Sequence, residues 1–483
     1  MTRRVLAMNV PNRLVGCLMS LLLLLALLSQ PAGAAAPSSK AETLAAIDEY
    51  VTKQMKRNRI NGVALAITSG DEVFYTQGYG TTTKGKAITG KTPFPIASLS
   101  KSMTALAVLQ LAEQGRLDLD APYLSYFPAR TPIDPRVRQI TVRHLLNQTS
   151  GLTDRVNPDM TRPVPIRSLQ DLPASLEQIT LASDPGAAYS YHNPNYQYLA
   201  LLVEQLSGQR FSDYLQAHLF APLGMSDTFA VSTTQQINDY PAVPRGHYLL
   251  LGNAVESAEP DWFVDGPAGV IATAEDMAIW MQAQQNGQLL APGLMAQYHA
   301  PGPDGRYGMG WMVRKEESGK RTLSHSGILW TYKSEEQIDL DRQVGITVLF
   351  DTGLNAFVDT SSLVRGVEQI MQGGPAAGSL ITNRNAETVM LLLIIGTVWW
   401  HKKRRRSWLL PALGVAVPVL LLLLLFLAPL LTIVGGGRVV PWQGIWMMMP
   451  SLIIWLAVIA LANALQFVRK VVLKHGGRME QVI

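Results

Sequence analysis

Apolar residues in this 483-residue chain gather at its two ends, and that segregation limits the possible architectures more than any other feature. Leu14–Leu28 is a short apolar run preceded by Arg3, Arg4 and Arg13 and followed by Ala32-Gly33-Ala34. Positive, apolar and small-residue regions in that order predict a secretory signal over 1–36. Far downstream, 388–467 carries further apolar stretches. A bilayer crossing needs about 20 apolar residues, so three transmembrane helices are expected, at about 386–401, 408–434 and 442–468 of a terminal segment 385–483. Between the two ends, 37–384 has the mixed composition of a globular domain.

The cations orient these segments. Lys402-Lys403-Arg404-Arg405-Arg406 separates the first and second expected spans, and Arg469, Lys470, Lys474 and Arg478 follow the third. Only Arg438 lies between the second and third. The positive-inside rule places both clusters in the cytoplasm and the loop 435–441 outside. The first span then runs inward, which leaves 37–384 outside, as the signal also requires. The expected location is the cell membrane, multi-pass, with an extracytoplasmic domain and the lipid bilayer as a partner. No charge interrupts the apolar cores of the spans, which favours an anchor over a transport path.

Thirteen of the 41 Lys and Arg lie in the terminal segments, but only two of the 36 Asp and Glu do. The net charge of +5 therefore hides an acidic domain, and no nucleic-acid partner is expected. Cys17 is the only cysteine and lies in the N-terminal apolar run. The domain thus has no disulfide, thiol nucleophile or thiolate metal site. With no metal-spaced cluster, phosphate loop or dinucleotide fingerprint, neither a metal nor a cofactor is expected.

Within the domain, 43–58 reads as a helix, and 62–68 with 72–78 reads as a β-hairpin across a Ser69-Gly70-Asp71 turn. Lys101–Gln114 reads as a largely buried helix. Strand patterns return at 308–313, 321–324, 336–340 and 344–351, before a closing helix at about 355–371. Strands from both ends with helices between them predict one sheet with a helical insertion, an α/β arrangement.

Ser98-Leu99-Ser100-Lys101 is the only Ser-x-x-Lys in the chain. At a helix start this spacing puts a hydroxyl and an amine on one face, beside backbone N–H groups that stabilise negative charge. A serine hydroxyl needs a nearby base, and a desolvated lysine supplies one. Tyr191 and Asn193 sit in a loop that leads into an apolar helix at 199–206. A phenol relays protons and an amide binds a peptide backbone. His325-Ser326-Gly327 closes a strand, and its glycine is read as room for a substrate to approach. Each motif alone also fits a plain structural role.

In this order and spacing the three motifs resemble those of the class C β-lactamases and penicillin-binding-protein-like serine hydrolases. Supporting stretches at 144–152, 222–225, 269–277 and 307–311 are similar too, and the resemblance spans roughly 43–372. It implies a β-lactamase-like α/β domain: an antiparallel sheet flanked by helices, with a helical insertion. It further implies an acyl-enzyme in which Ser98 attacks a carbonyl while Lys101 and Tyr191 share the proton transfers. The backbone N–H groups of Ser98 and Ile328 would form the oxyanion hole. Asn193 would hold a substrate amide, and His325, Ser326 and Gly327 would line the substrate.

His325 replaces the lysine of the lactamases, which argues against a dedicated β-lactamase, and Thr331 replaces a usual glycine. The implied partner is a peptide or small acyl substrate, foremost a peptide containing D-amino acids. Cell-wall peptides fit this class. So do the caps removed by prodrug-activating peptidases of nonribosomal-peptide pathways, whose signal, domain and three-span order this chain also resembles. An esterase or β-lactamase on the same site, or a penicillin sensor acylated without turnover, are the alternatives.

Overall fold

The computed structural model describes residues 39–403, apart from 129, 163, 288, 316–319, 354, 356–360 and 377–381, together with 416, 418–421, 423 and 438–479. The expected signal at 1–36 lies outside the described residues, as does most of the expected second span.

The first helix, α1 (Lys40–Asn58), starts where the Ser39 side chain accepts from the Glu42 N–H, and it ends at Arg59 in the left-handed conformation. The expected hairpin follows as β1 (Gly62–Ser69) and β2 (Glu72–Gly80). After a long helical section, including α2 (Ser100–Glu113), α3 (Pro194–Ser207) and α4 (Ala274–Asn286), come five more strands. These are β3 (Tyr307–Gly308), β4 (Trp311–Lys315), β5 (Arg321–Ile328), β6 (Lys333–Asp339) and β7 (Val344–Phe350). All seven form one antiparallel sheet in the order β2-β1-β7-β6-β5-β4-β3. The sheet is therefore built from both ends of the domain, as expected. β5 runs four residues past the expected stop at 324, because Ser326 and Gly327 pair with Glu335 and Ser334.

Both faces of the sheet are covered, and β1 shows how. Its alternate residues Val63, Leu65 and Ile67 pack with Ile47 and Val51 of α1 and with Val364 and Val367 of the closing helix α5 (Ser361–Met371). Ala64 and Ala66 point the other way, into the larger core that contains Ala278 and Met281 of α4. A strand buried on both faces loses polar alternation, which is why it reads as one apolar run.

The terminal segment continues as α6 (Asn383–Lys403), α7 (Trp442–Met448) and α8 (Pro450–Met479). Among the described residues, one stretch, Pro450–Arg469, is long and apolar enough to cross a membrane. α6 covers the expected first span, but it carries too many polar residues at its ends to reach that measure. The expected third span divides at Met449, just before Pro450, where α7 stops and α8 starts. α7 lies on the globular domain: Ile445, Met447 and Met448 cluster with Trp330 from the turn after β5.

Candidate active site

The Ser98 motif begins in strain. Ala97, just before the serine, takes φ +48°, a conformation costly for a residue with a Cβ and typical of functional turns. A 3-10 turn (Ala97–Leu99) then runs straight into α2 and sets Lys101 one turn after Ser98. The Lys101 side chain is fully buried. Its Nζ donates to Ser98 Oγ at 2.8 Å and to the Pro267 carbonyl at 2.9 Å. Loss of water holds the amine well below the ordinary lysine range, and the nearby Arg438 cation adds to this, while Asp159 opposes it.

Tyr191 reaches the same oxygen, donating to Ser98 Oγ at 3.0 Å. Burial pushes its phenol up to about 12, against the lowering influence of the Ser98 hydrogen bond and Arg438. The tyrosine loop is held from below by Gln148. Gln148 Oε1 accepts from the His192 N–H and from Asn195 Nδ2, and its carbonyl accepts from the Ser190 N–H. This gives the 144–152 stretch its role: it carries the residue that fixes the loop.

The third motif closes the opposite wall. β5 sets His325 at the cavity, 6.0 Å from the Tyr191 ring between centroids. Its Nδ1 pairs with the Ser326 carbonyl at 2.8 Å, and burial, reinforced by Lys101, holds the ring down at about 3. At position 325 the site therefore presents a neutral imidazole and no cation. Gly327 meets a packing demand that the sequence did not announce. A Cβ there would lie 2.3 Å from the Ile96 carbonyl and 2.1 Å from Ser334 Oγ. The close approach belongs to the turn that carries Ser98.

Ser98, Tyr191, Asn193, His325, Ser326 and Ile328 all line one cavity of about 400 Å³, and Lys101 lies directly beneath Ser98. Three features were not anticipated from the sequence. Thr331 is buried and donates to Glu259 Oε2 at 2.7 Å, while Glu259 also accepts the Trp330 and Thr331 N–H groups. Burial raises that carboxyl to about 7 despite these donors. A buried acid thus anchors the turn after β5. Asp154 and Asp159 form the second feature, pairing with His192 and Asn193 respectively. The third is Arg438, from the loop between the second and third expected spans. It pairs with both of those carboxylates and lines the cavity, as do Val440 and Met448. Its one sequence signal was its isolation as the sole cation in that loop.

A family model described as Beta-lactamase matches residues 47–362, well over half of the chain. The chain belongs to the beta-lactamase family. The matched domain of this beta-lactamase family member is that of a serine hydrolase. It is 27% identical over 315 residues to Protein flp of Staphylococcus aureus (strain MW2), covering 63% of this chain and 62% of that protein. It is 28% identical over 271 residues to Putative penicillin-binding protein PbpX of Bacillus subtilis (strain 168), covering 55% and 65%. The chain thus spans less than two thirds of the length of these relatives. Among solved structures, the fold is similar to an octameric penicillin-binding protein homologue from Pyrococcus abyssi, with a TM-score of 0.60 and 20% identity over 72% of this chain and 81% of that one. It is also similar to D-amino acid amidase from Ochrobactrum anthropi SV3, with a TM-score of 0.56 and 22% identity over 69% and 99%.

Proposed function

We propose that this chain is a membrane-anchored serine acyl hydrolase that forms an acyl-enzyme at Ser98 and cleaves peptides containing D-amino acids outside the cytoplasm. The observation that carries this reading is the convergence of a buried lysine amine and a tyrosine phenol on one serine oxygen, at 2.8 and 3.0 Å. Desolvation favours the neutral amine of Lys101, whose lone pair accepts the Ser98 proton as Oγ attacks the carbonyl. The phenol of Tyr191, held up at about 12, starts protonated and passes its proton to the departing amine, regaining one from Lys101. The backbone N–H groups of Ser98 and Ile328 are assigned to the oxyanion. Water then attacks the ester carbonyl, releasing acid and restoring the serine hydroxyl.

Three observations support the substrate class and the anchor. The D-amino acid amidase and a D-alanine carboxypeptidase from Burkholderia cenocepacia share the fold. His325, neutral in the folded protein, offers no cation for a substrate carboxylate at position 325, which suits amides and internally cleaved peptides of D-amino acids better than β-lactams. The apolar stretch Pro450–Arg469 and the basic residues around the expected spans fit an anchored, outward-facing domain. Within this class a cell-wall peptide and a nonribosomal-peptide prodrug both suit the site. An esterase is the second reading, favoured by the Trp262, Leu329, Trp330 and Met448 lining, which suits an apolar acyl group.

The test compares the full-length protein and Ser98→Ala in detergent. Both receive a D-Ala-D-Ala peptide, an acyl-D-Asn peptide, a nitrophenyl ester and a fluorescent penicillin, with products read by mass spectrometry. Turnover of D-amino-acid peptides by wild type alone is expected. Turnover of the ester alone would select the esterase, and stoichiometric penicillin labelling without release would select the sensor. Equal behaviour of the two proteins on every substrate would remove the catalytic reading.

A further inference from the structure

The turn that joins β5 to β6 is held at its apex by a charge from elsewhere in the chain. The Leu329 N–H donates to the Tyr332 carbonyl at 3.0 Å and closes the turn, which leaves the successive N–H groups of Trp330 and Thr331 outside that pairing. Two successive N–H groups of this kind make a concavity suited to an anion. Here the anion is built in. Glu259 Oε1 accepts from the Trp330 N–H and Oε2 from the Thr331 N–H, both at 2.9 Å, and Oε2 also takes the Thr331 hydroxyl at 2.7 Å. Asn238 fixes the backbone of Glu259 itself, donating to its carbonyl and accepting its N–H.

The other sides of the turn are packed closely. The His247 N–H donates to the Thr331 carbonyl at 3.1 Å, and a Cβ on Gly353 would collide with the Trp330 carbonyl. Ile328, the last residue of β5, lines the Ser98 cavity together with Leu329 and Trp330, so the apex sets where the end of that strand sits. Four titratable or charged groups surround the turn. Tyr332 donates its hydroxyl to the Pro244 carbonyl and has Arg245 nearby, while His247 and Asp351 stand together behind it. Among the described residues none of these pairs with Glu259, and burial without a counter-ion raises its carboxyl to about 7. Burial raises Asp351 to about 7 as well, but its carboxylate accepts from Gly62 and Thr352 and not from the turn.

We propose that Glu259 is a positioning residue for the oxyanion hole: as a carboxylate it holds the turn after β5 so that the Ile328 N–H meets the reacting carbonyl, and on taking up a proton it releases the turn. The inference rests on the acyl-enzyme reading of Ser98 with the Ile328 N–H as a donor, and it adds a pH dependence that the base does not set. A carboxyl carries its proton on one of its two oxygens, so at least one of the three donors loses its acceptor. The carboxylate form prevails only above about pH 7, so acylation falls as pH drops through that range.

The test uses full-length protein in detergent and reads kcat/KM for the nitrophenyl ester of N-acetyl-D-alanine from about pH 5.5 to 9. Thr331→Val removes a donor that favours the carboxylate, which raises the Glu259 carboxyl further and should move the acid limb to higher pH. Lys101 makes none of these bonds, so a limb set by Lys101 would stay in place. Glu259→Gln, a neutral isostere, should lower kcat/KM about 10-fold at pH 8 and remove the limb near pH 7. That is less than the roughly 100- to 1,000-fold cost of deleting an oxyanion donor outright. Hydrogen exchange in a peptide covering 326–334, corrected for its intrinsic pH dependence, gives a second readout. Protection in wild type should be weaker at pH 6 than at pH 8, and in Glu259→Gln it should match wild type at pH 6. Cooperative thermal melts report which variants are folded, and the wild-type exchange comparison needs no variant. The wild-type limb in folded Thr331→Val, the wild-type profile in folded Glu259→Gln, or pH-independent protection in wild type would each overturn the proposal. Absence of Ser98-dependent turnover in wild type would instead count against the catalytic reading on which it rests.

Discussion

The base role proposed for Lys101 rests on the absence of water. A fully buried amine with only a serine oxygen and a carbonyl as partners is poor at staying charged, which is what a base near neutral pH requires. Lys101→Arg keeps a group of similar length that cannot give up its proton. It is expected to lower the rate of Ser98 acylation by at least about 100-fold, read from stopped-flow burst kinetics. His325 provides a pH signature of folding. Unfolded, it protonates near 6.5; folded, it stays neutral down to about 3. A depressed folded value means that the stability it brings is complete above pH 6.5 and is lost as pH falls toward 3. The steepest loss is about 1.4 kcal/mol per pH unit. His325→Gln should flatten part of that decline between pH 6.5 and 4 in denaturant titrations. A slope remains because His299, held at about 4, titrates over much of the same range. At this scale the sequence exposed Ser98, Lys101, Tyr191 and His325, because each sits in a compact motif of fixed spacing. It hid Asp154, Asp159, Glu259 and Arg438, whose partners lie far along the chain. Only folding brings their charges together.

Among elements, the turn that carries Ser98 and strand β5 are fitted to each other through a missing Cβ. Gly327→Ala would force a methyl against the Ile96 carbonyl and Ser334 Oγ, both inside normal contact. A loss of about 1–3 kcal/mol or more is expected, together with slower acylation, because the strand cannot move away without shifting the serine. Thermal melts and burst rates on one preparation measure the two effects. α7 meets Trp330 in the same manner: a Cβ on Gly444 would lie 2.4 Å from the indole ring. Gly444→Leu should lift α7 from the turn after β5 and raise KM more than it lowers kcat. Strand and helix positions were largely readable from periodicity, since β1, β2, β7 and α2 have strong patterns. The end of β5 was not. Its last residues are polar and small, and they are held as a strand by pairing with β6, which no local pattern announces.

For the whole molecule, charge distribution predicts the topology. Cys17 is the only cysteine and falls in the expected signal, so a single introduced thiol gives a clean reporter. Lys84→Cys, on an exposed loop, should react with an impermeant maleimide in intact cells. Lys402→Cys should react only after permeabilisation; the reverse pattern would invert the orientation. The sheet order carries a further consequence, for how the protein is made. β1 pairs with β7 through partners such as Val63 and Phe350, which lie at opposite ends of the catalytic domain. A ribosome adding about 5–20 residues per second delivers the second partner tens of seconds after the first. Throughout that interval the β1–β2 hairpin has an unpaired edge and an uncovered apolar face, which is the state most prone to aggregate. Synthesis of this chain should therefore lean on holding chaperones until β7 arrives, and codon changes that slow translation between the two strands should lower the yield of soluble-state intermediates before they touch activity.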